Sequence, residues 1–422
     1  MLSWQYRRLI ILLILILQIF SSQLNVEAID VSGLNGFRIT LIVIATFLFL
    51  RSGLQNAANA TRMAMTTCLS LFLIMLVSLL WTSEVESGLR QISYLLTLLS
   101  LIYTISFLIV SISEFKNVCL ILITLGIGIC MISYYEISSG NHFFESSIQQ
   151  IAYFDNSLAY VTDNLAWFTF DNPNDLSVHL AVCCIFGIMA FRQSILPYVG
   201  YAMTFWIAYL LDARLVLAVL AAYFIMAVFS IGMIGARRFY LSLTGYAVFG
   251  TVAGFFALQY AGNLEALDVS MYIRSELILS AIEFGRSSYL VGIGAGSFET
   301  EMWQSGFVGL TYGIVNPHNA FARAFAETGI LGLSALVCLA AGPIALIWRA
   351  RLLDVEARIL VLIAVVLPLL FSIGSDPMAS SSLQLAIALL WVGTGICLPK
   401  PQPEPAIGSR FADDMPKVEA RR

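Results

Sequence analysis

The sequence predicts an all-α polytopic membrane protein with about twelve transmembrane helices, and three observations predict it. Hydrophobic residues make up 59% of the 422-residue chain and charged residues only 11%, far below the roughly one quarter that ordinary soluble domains carry. Apolar runs of about the 17 to 25 residues that cross a bilayer recur from one end to the other. Lys and Arg, finally, cluster at alternate ends of those runs.

The runs lie at approximately 8–22, 37–50, 63–81, 92–112, 118–135, 176–191, 194–211, 215–235, 240–262, 329–348, 358–373 and 383–398. Cations near span ends are retained in the cytoplasm. An inside N-terminus therefore puts sixteen of the 22 Lys and Arg on the cytoplasmic side, Arg7, Arg62, Lys116, Arg349 and Arg358 among them. Arg38, Arg90, Arg214, Arg274, Arg286 and Arg323 are left outside. Two long loops, 136–175 and 263–328, then face outward.

At the start of the chain, Arg7 and Arg8, the apolar run 9–20 and the small-residue sequence Val26-Glu27-Ala28 have the form of a cleavable signal peptide. The same residues suit an uncleaved signal-anchor, which is the preferred reading and leaves the topology unchanged. The first outer loop has no Lys or Arg between Lys116 and Arg192 and is rich in aromatics such as Phe143, Tyr153, Trp167 and Phe170. An interfacial belt and a sugar-binding surface would both look like this, with the belt preferred. The seven cysteines fall inside predicted spans without C-x-x-C spacing, so neither a disulfide framework nor a zinc site is expected. Residues 399–422 alternate proline with polar residues and read as a disordered cytoplasmic tail.

The second outer loop carries the chemistry. It contains V-G-I-G-A-G-S-F from Val291 and N-P-H-N-A-F-A-R-A-F-A-E-T-G-I-L-G-L from Asn316. Gly292, Gly294 and Gly296 lack the buried strand and following helix of a dinucleotide loop. They read as a water-facing turn, either plain or one that lets backbone approach a ligand. Asn319 and Pro317 suit a turn that fixes His318. Glu327 reads as a carboxylate in the first turn of the tenth span, favoured by the helix dipole. Glu299 and Glu301 form an E-x-E pair with no His or D-x-D beside it, so no metal is expected. His142 and His179 belong to no motif.

These residues resemble the signature of the O-antigen ligase and polymerase superfamily, bacterial integral membrane glycan transferases. The matching pieces are the arginine-headed amphipathic segment from Arg274 to Glu283, Gly292 to Phe298, Pro317 to Phe321, and Glu327 to Gly332. Arg214, in L-D-A-R-L, is similar to an outward arginine of the family but lacks its flanking Ser and Gly. The resemblance implies a C-type glycosyltransferase-like architecture spanning 1–398, with a ligase-related core at about 176–373 and a periplasmic motif loop at 263–328. It implies transfer of an undecaprenyl-diphosphate-linked glycan to a glycan or lipid A-core acceptor at the periplasmic face of the inner membrane, without cofactor, metal or nucleic acid. Membrane lipids, a chain-length regulator and a flippase are its expected partners, and polymerase and ligase are not distinguished.

The residues suit that chemistry. Guanidinium forks match diphosphate oxygens with paired hydrogen bonds at any relevant pH, which nominates Arg214 and Arg274, then Arg323. Imidazole titrates near neutrality, so His318 is expected to serve as base for the acceptor hydroxyl. The competing readings are a lipid-linked sugar flippase or secondary transporter, and a non-enzymatic assembly subunit. A transporter should show an internal repeat and mid-membrane charges, and neither is evident in the sequence.

Overall fold

The structure is a computed structural model that describes residues 3–19, 36–52, 58–143, 168, 170, 173–191, 193–211, 213–232, 269–311, 315, 319–350, 354–370 and 380–398. Among them are thirteen α-helices and no strand. They are α1 (Trp4–Ile19), α2 (Gly36–Ser52), α3 (Asn59–Ser78), α4 (Val85–Leu108), α5 (Ile112–Ser139), α6 (Pro173–Gly187, continued by a 3₁₀ turn Ile188–Ala190) and α7 (Leu196–Leu210). There follow α8 (Arg214–Gly232), α9 (Val269–Ser287), α10 (Phe298–Gln304), α11 (Ala320–Arg349), α12 (Val355–Leu370) and α13 (Ser381–Cys397). Eleven of them fall on predicted segments, while α9 and α10 lie in the second predicted outer loop. The predicted ninth segment, 240–262, and the tail lie outside the described residues.

Five helices, α3, α4, α5, α6 with its 3₁₀ turn, and α11, are long and apolar enough to cross a membrane, so the chain is a membrane-embedded helical protein. Along α3 the exposed residues Leu69, Leu73, Leu76 and Val77 recur at helical spacing and form an apolar outer stripe. The opposite face, with Ala64, Cys68, Leu71 and Met75, is buried. Helix α13 is buried almost all round, as expected of a helix with no polar face.

The α4–α5 junction sits several residues earlier than the hydropathy predicts, which corrects the fourth and fifth segments. Ser111 caps α5 by accepting the Glu114 amide at 3.3 Å, and the Glu114 carboxylate accepts the Val110 amide at 2.9 Å. This Ser-x-x-Glu box opens α5 at Ile112 inside an apolar run, where hydropathy alone sees no boundary. At the other end of α5, Gly140 closes the helix in the left-handed conformation, its amide on the Glu136 carbonyl at 2.9 Å.

The end of the bundle holding this junction is tied by charge. Arg7 of α1 reaches Glu114 at 2.6 Å and the Leu108 carbonyl at 3.0 Å, and Lys116 meets Glu356 at the start of α12 at 2.5 Å. The predicted cytoplasmic cations Arg7 and Lys116 thus share one end.

Within α11, Pro343 has no amide to give to the Leu339 carbonyl four residues before it. Trp391 of α13 supplies the missing donor, its indole Nε1 lying 2.8 Å from that oxygen. Gly342 makes the room, since a Cβ there would sit 2.6 Å from the buried indole ring.

Candidate functional site

The site is built around a second interruption of α11. Gly329 has φ 66° and ψ −157°, a conformation that side chains resist, and it breaks the helix after Thr328. In an unbroken helix the Ile330 amide would donate to the Ala326 carbonyl. Here that amide donates to the Leu290 carbonyl at 2.9 Å instead. The freed carbonyls of Ala326 and Glu327 accept the amides of Ile293 and Gly294, both at 2.9 Å. The glycine turn is thus threaded into the gap in α11 and replaces the helical bonds.

That insertion explains the glycines. Gly292, Gly294 and Gly296 all have positive φ, 93°, 102° and 83°. A methyl group on them would collide with the Glu327 carbonyl, the Thr82 backbone and the Gly88 amide respectively. All three are buried, so the expected water-facing turn is instead enclosed by its neighbours.

The loop between α3 and α4 closes the other side. Trp81 donates its indole N–H to the Gly292 carbonyl at 3.0 Å, and Thr82 donates to the Ala295 carbonyl at 2.7 Å. Ser78 accepts the Ala295 amide at 3.1 Å, and Ser297 accepts the Ser83 amide at 3.0 Å. Glu84 accepts the Thr300 hydroxyl at 3.1 Å. Three segments distant in sequence, 78–88, 288–300 and 326–330, are therefore laced together by backbone and short polar side chains. The first was not singled out in the sequence. Its signal was the polar run Thr82-Ser83-Glu84 directly after Trp81, at the end of an apolar segment.

The charged residues take different places. Asn319 is the N-cap of α11, its Oδ1 accepting the amides of Phe321 and Ala322, both at 3.0 Å. Helix α11, the tenth predicted span, thus begins at Ala320, nine residues before the predicted boundary, which corrects the reading of Glu327 as a residue of its first turn. Glu327 lies in the last turn before the break, almost fully buried. Its carboxylate accepts the Arg323 Nε at 3.1 Å and the Phe298 amide at 3.4 Å. It therefore serves the N-terminus of α10, where a carboxylate meets the positive end of the dipole.

Arg323 is buried, its guanidinium between Glu327 and Glu299, the latter at 3.8 Å. Its charge is engaged by these two carboxylates. Arg274 is half-buried near the start of α9, and Arg214 is the exposed first residue of α8. His318 lies outside the described residues, immediately before the Asn319 cap. Among the described residues, no three His, Cys, Asp or Glu side chains gather where a metal could sit. His179, expected to be bland, is buried with Nδ1 2.9 Å from Ser382 Oγ, which joins α6 to α13.

Against known proteins, the chain matches no family model and no curated protein.

Proposed function

We propose that this protein is a glycan transferase of the bacterial inner membrane, similar in kind to the O-antigen ligases and polymerases. In this reading it transfers a glycan from undecaprenyl diphosphate to an acceptor sugar at the periplasmic face. One observation carries the reading. The glycine turn, the Glu327–Gly329 break and the Asn319 cap, separate pieces of the motif in sequence, come together along the first half of α11, which in this reading lies at the membrane boundary. Such an arrangement holds its groups near lipid headgroups, where the diphosphate of a lipid-linked donor sits.

The chemistry follows from the side chains. The acceptor hydroxyl oxygen attacks C1 of the donor sugar, its proton passing to the His318 imidazole. The bond from C1 to the phosphate oxygen breaks, and the electron pair leaves with undecaprenyl diphosphate. Diphosphate is a stable leaving group, so the need is for charge rather than a strong acid. Arg214 and Arg274 supply that charge through paired hydrogen bonds. Arg323 and Glu327 are assigned a different duty, holding α10 and the glycine turn in place.

The test is donor binding by the purified protein in lipid vesicles, titrated with undecaprenyl-diphosphate oligosaccharide. Arg274→Ala should weaken binding by about 1.5–3 kcal/mol, the worth of a charge-assisted contact. Unchanged affinity in that variant would remove the clamp, and no binding by the unaltered protein would remove the reading. Binding followed by movement of the intact donor across the vesicle, with no transfer, would favour a flippase.

A further inference from the structure

We infer that the segment Tyr289–Leu290–Val291 is a membrane-inserting loop, seated in the acyl boundary of the leaflet that faces the glycine turn. The inference is independent of glycan transfer and starts from a conflict. Tyr289 and Leu290 hold consecutive left-handed conformations, φ 55° and 66°. Bulky side chains resist this geometry, and a turn facing water would be expected to use Gly or Asn there. The two residues and Val291 are nonetheless apolar and exposed, Tyr289 at 91%. The pair closes α9, with the Tyr289 amide on the Arg286 carbonyl and the Leu290 amide on the Gly285 carbonyl, both at 3.0 Å. A helix end closed by exposed apolar residues points to a surface that meets something other than water.

The depth of the loop is set by its hydrogen bonds. The Leu290 carbonyl holds the Ile330 amide, and the Gly292 carbonyl holds the Trp81 indole. Ile330 opens the second half of α11. Of the 30 residues of that helix the first ten precede or form the break. The remaining twenty span about 30 Å at 1.5 Å per residue, the thickness of a bilayer's hydrocarbon core. Trp81 stands just past the end of the 20-residue α3, where an indole suits the membrane–water boundary. Both partners therefore place the loop at the top of the hydrocarbon rather than above it.

The occupant is argued from continuity. Leu80, 84% exposed, continues the apolar outer stripe of α3, and Leu331, 66% exposed, starts that of α11. Helices α3 and α11 pack side by side, and Tyr289–Val291 lies across their shared rim. The apolar surface thus runs unbroken from two membrane-crossing helices onto the loop, and lipid covers the helices. Arg286, exposed in the last turn of α9 just before the loop, suits the phosphate level above it.

The test uses the full-length protein in phosphatidylethanolamine and phosphatidylglycerol vesicles, with an environment-sensitive fluorophore on Leu290→Cys. The unaltered chain, treated identically, sets the background from its own cysteines. Gln304→Cys, exposed on α10, is the comparison site. At position 290 emission should be blue-shifted, quenched by lipids carrying a nitroxide near the headgroup and several-fold less sensitive to aqueous iodide than at position 304. Iodide quenching equal to that at position 304 would overturn the inference. Protection from both quenchers would also overturn it, because the loop would then be covered by protein, a second copy included. Tyr289→Cys repeats the measurement should Leu290→Cys fail to insert.

Discussion

Helix α11 is interrupted twice, and the two breaks are mended by different means. At Gly329 the displaced amide and carbonyls are taken up by the backbone of the glycine turn. At Pro343 a single freed carbonyl takes the indole N–H of Trp391. The carbonyl freed there, on Leu339, lies about 15 Å past Gly329 at 1.5 Å per residue, near the middle of the roughly 30 Å that the second half of the helix spans. That deep in hydrocarbon no water can satisfy a carbonyl, so a neighbouring helix must bring a side-chain donor. At the membrane boundary a whole loop can be threaded in, and it can carry other groups with it. One break serves packing between two helices, while the other gathers the segments of the candidate site.

The largest effect is expected at the first break. Gly329→Ala would meet the Leu290 carbonyl and force a Gly-only conformation. Strain and overpacking together should cost about 3–5 kcal/mol. Unfolding of the purified protein in mild detergent, followed by helix content against added denaturant, measures it. A loss below about 1 kcal/mol would mean that the turn is not seated in the gap.

Next comes the ion pair that holds the turn. Glu327→Ala removes the nearer of the two carboxylates on the buried Arg323 and keeps Glu299 at 3.8 Å, and breaking a buried ion pair should cost about 3 kcal/mol. Adding Arg323→Met should recover most of that loss in the same unfolding experiment. If the double variant were no better than the single one, the pairing would not be what stabilises this corner.

At the deep break the effect is smaller, because one hydrogen bond is at stake. Trp391→Phe should cost about 1–2 kcal/mol by orphaning the Leu339 carbonyl. Pro343→Ala restores an amide at the right position and should offset that cost in the Trp391→Phe background. Simple additivity of the two substitutions would sink the repair argument.

Two substitutions with small expected energetic effects test which side each end faces. Gln304→Cys, near the glycine turn, should react with a membrane-impermeant thiol reagent added to intact cells. Asp354→Cys, near the Lys116–Glu356 pair, should react only after the cells are opened. The reverse pattern would place the motif in the cytoplasm.

The bundle was legible because apolar composition and cation placement are averaged over many residues, and single errors cancel. Boundaries were less so. The capping box at Ser111 lies inside an apolar run, and Asn319 opens α11 well before hydropathy rises. In the site, the glycines could be read as a tight turn because close backbone contacts demand them, but their burial could not, and Asn319 reads as a turn residue where it caps α11. The partner at Trp81–Glu84 could not be read, since its contacts run through backbone carbonyls and short hydroxyls some 210 residues away in sequence. The charge balance at Arg323 was hidden likewise. Glu327 at helical spacing is visible in the sequence, but Glu299 becomes its second partner only through the folded turn.

The most direct test of the central claim, a transfer site at the boundary break, is turnover of His318→Ala in vesicles containing lipid-linked oligosaccharide and acceptor, with excess chelator present. The unaltered protein should extend or attach glycan under those conditions. His318→Ala should bind donor with nearly unchanged affinity and lose on the order of a hundredfold to ten-thousandfold in rate. Turnover at the unaltered rate in His318→Ala would contradict the account.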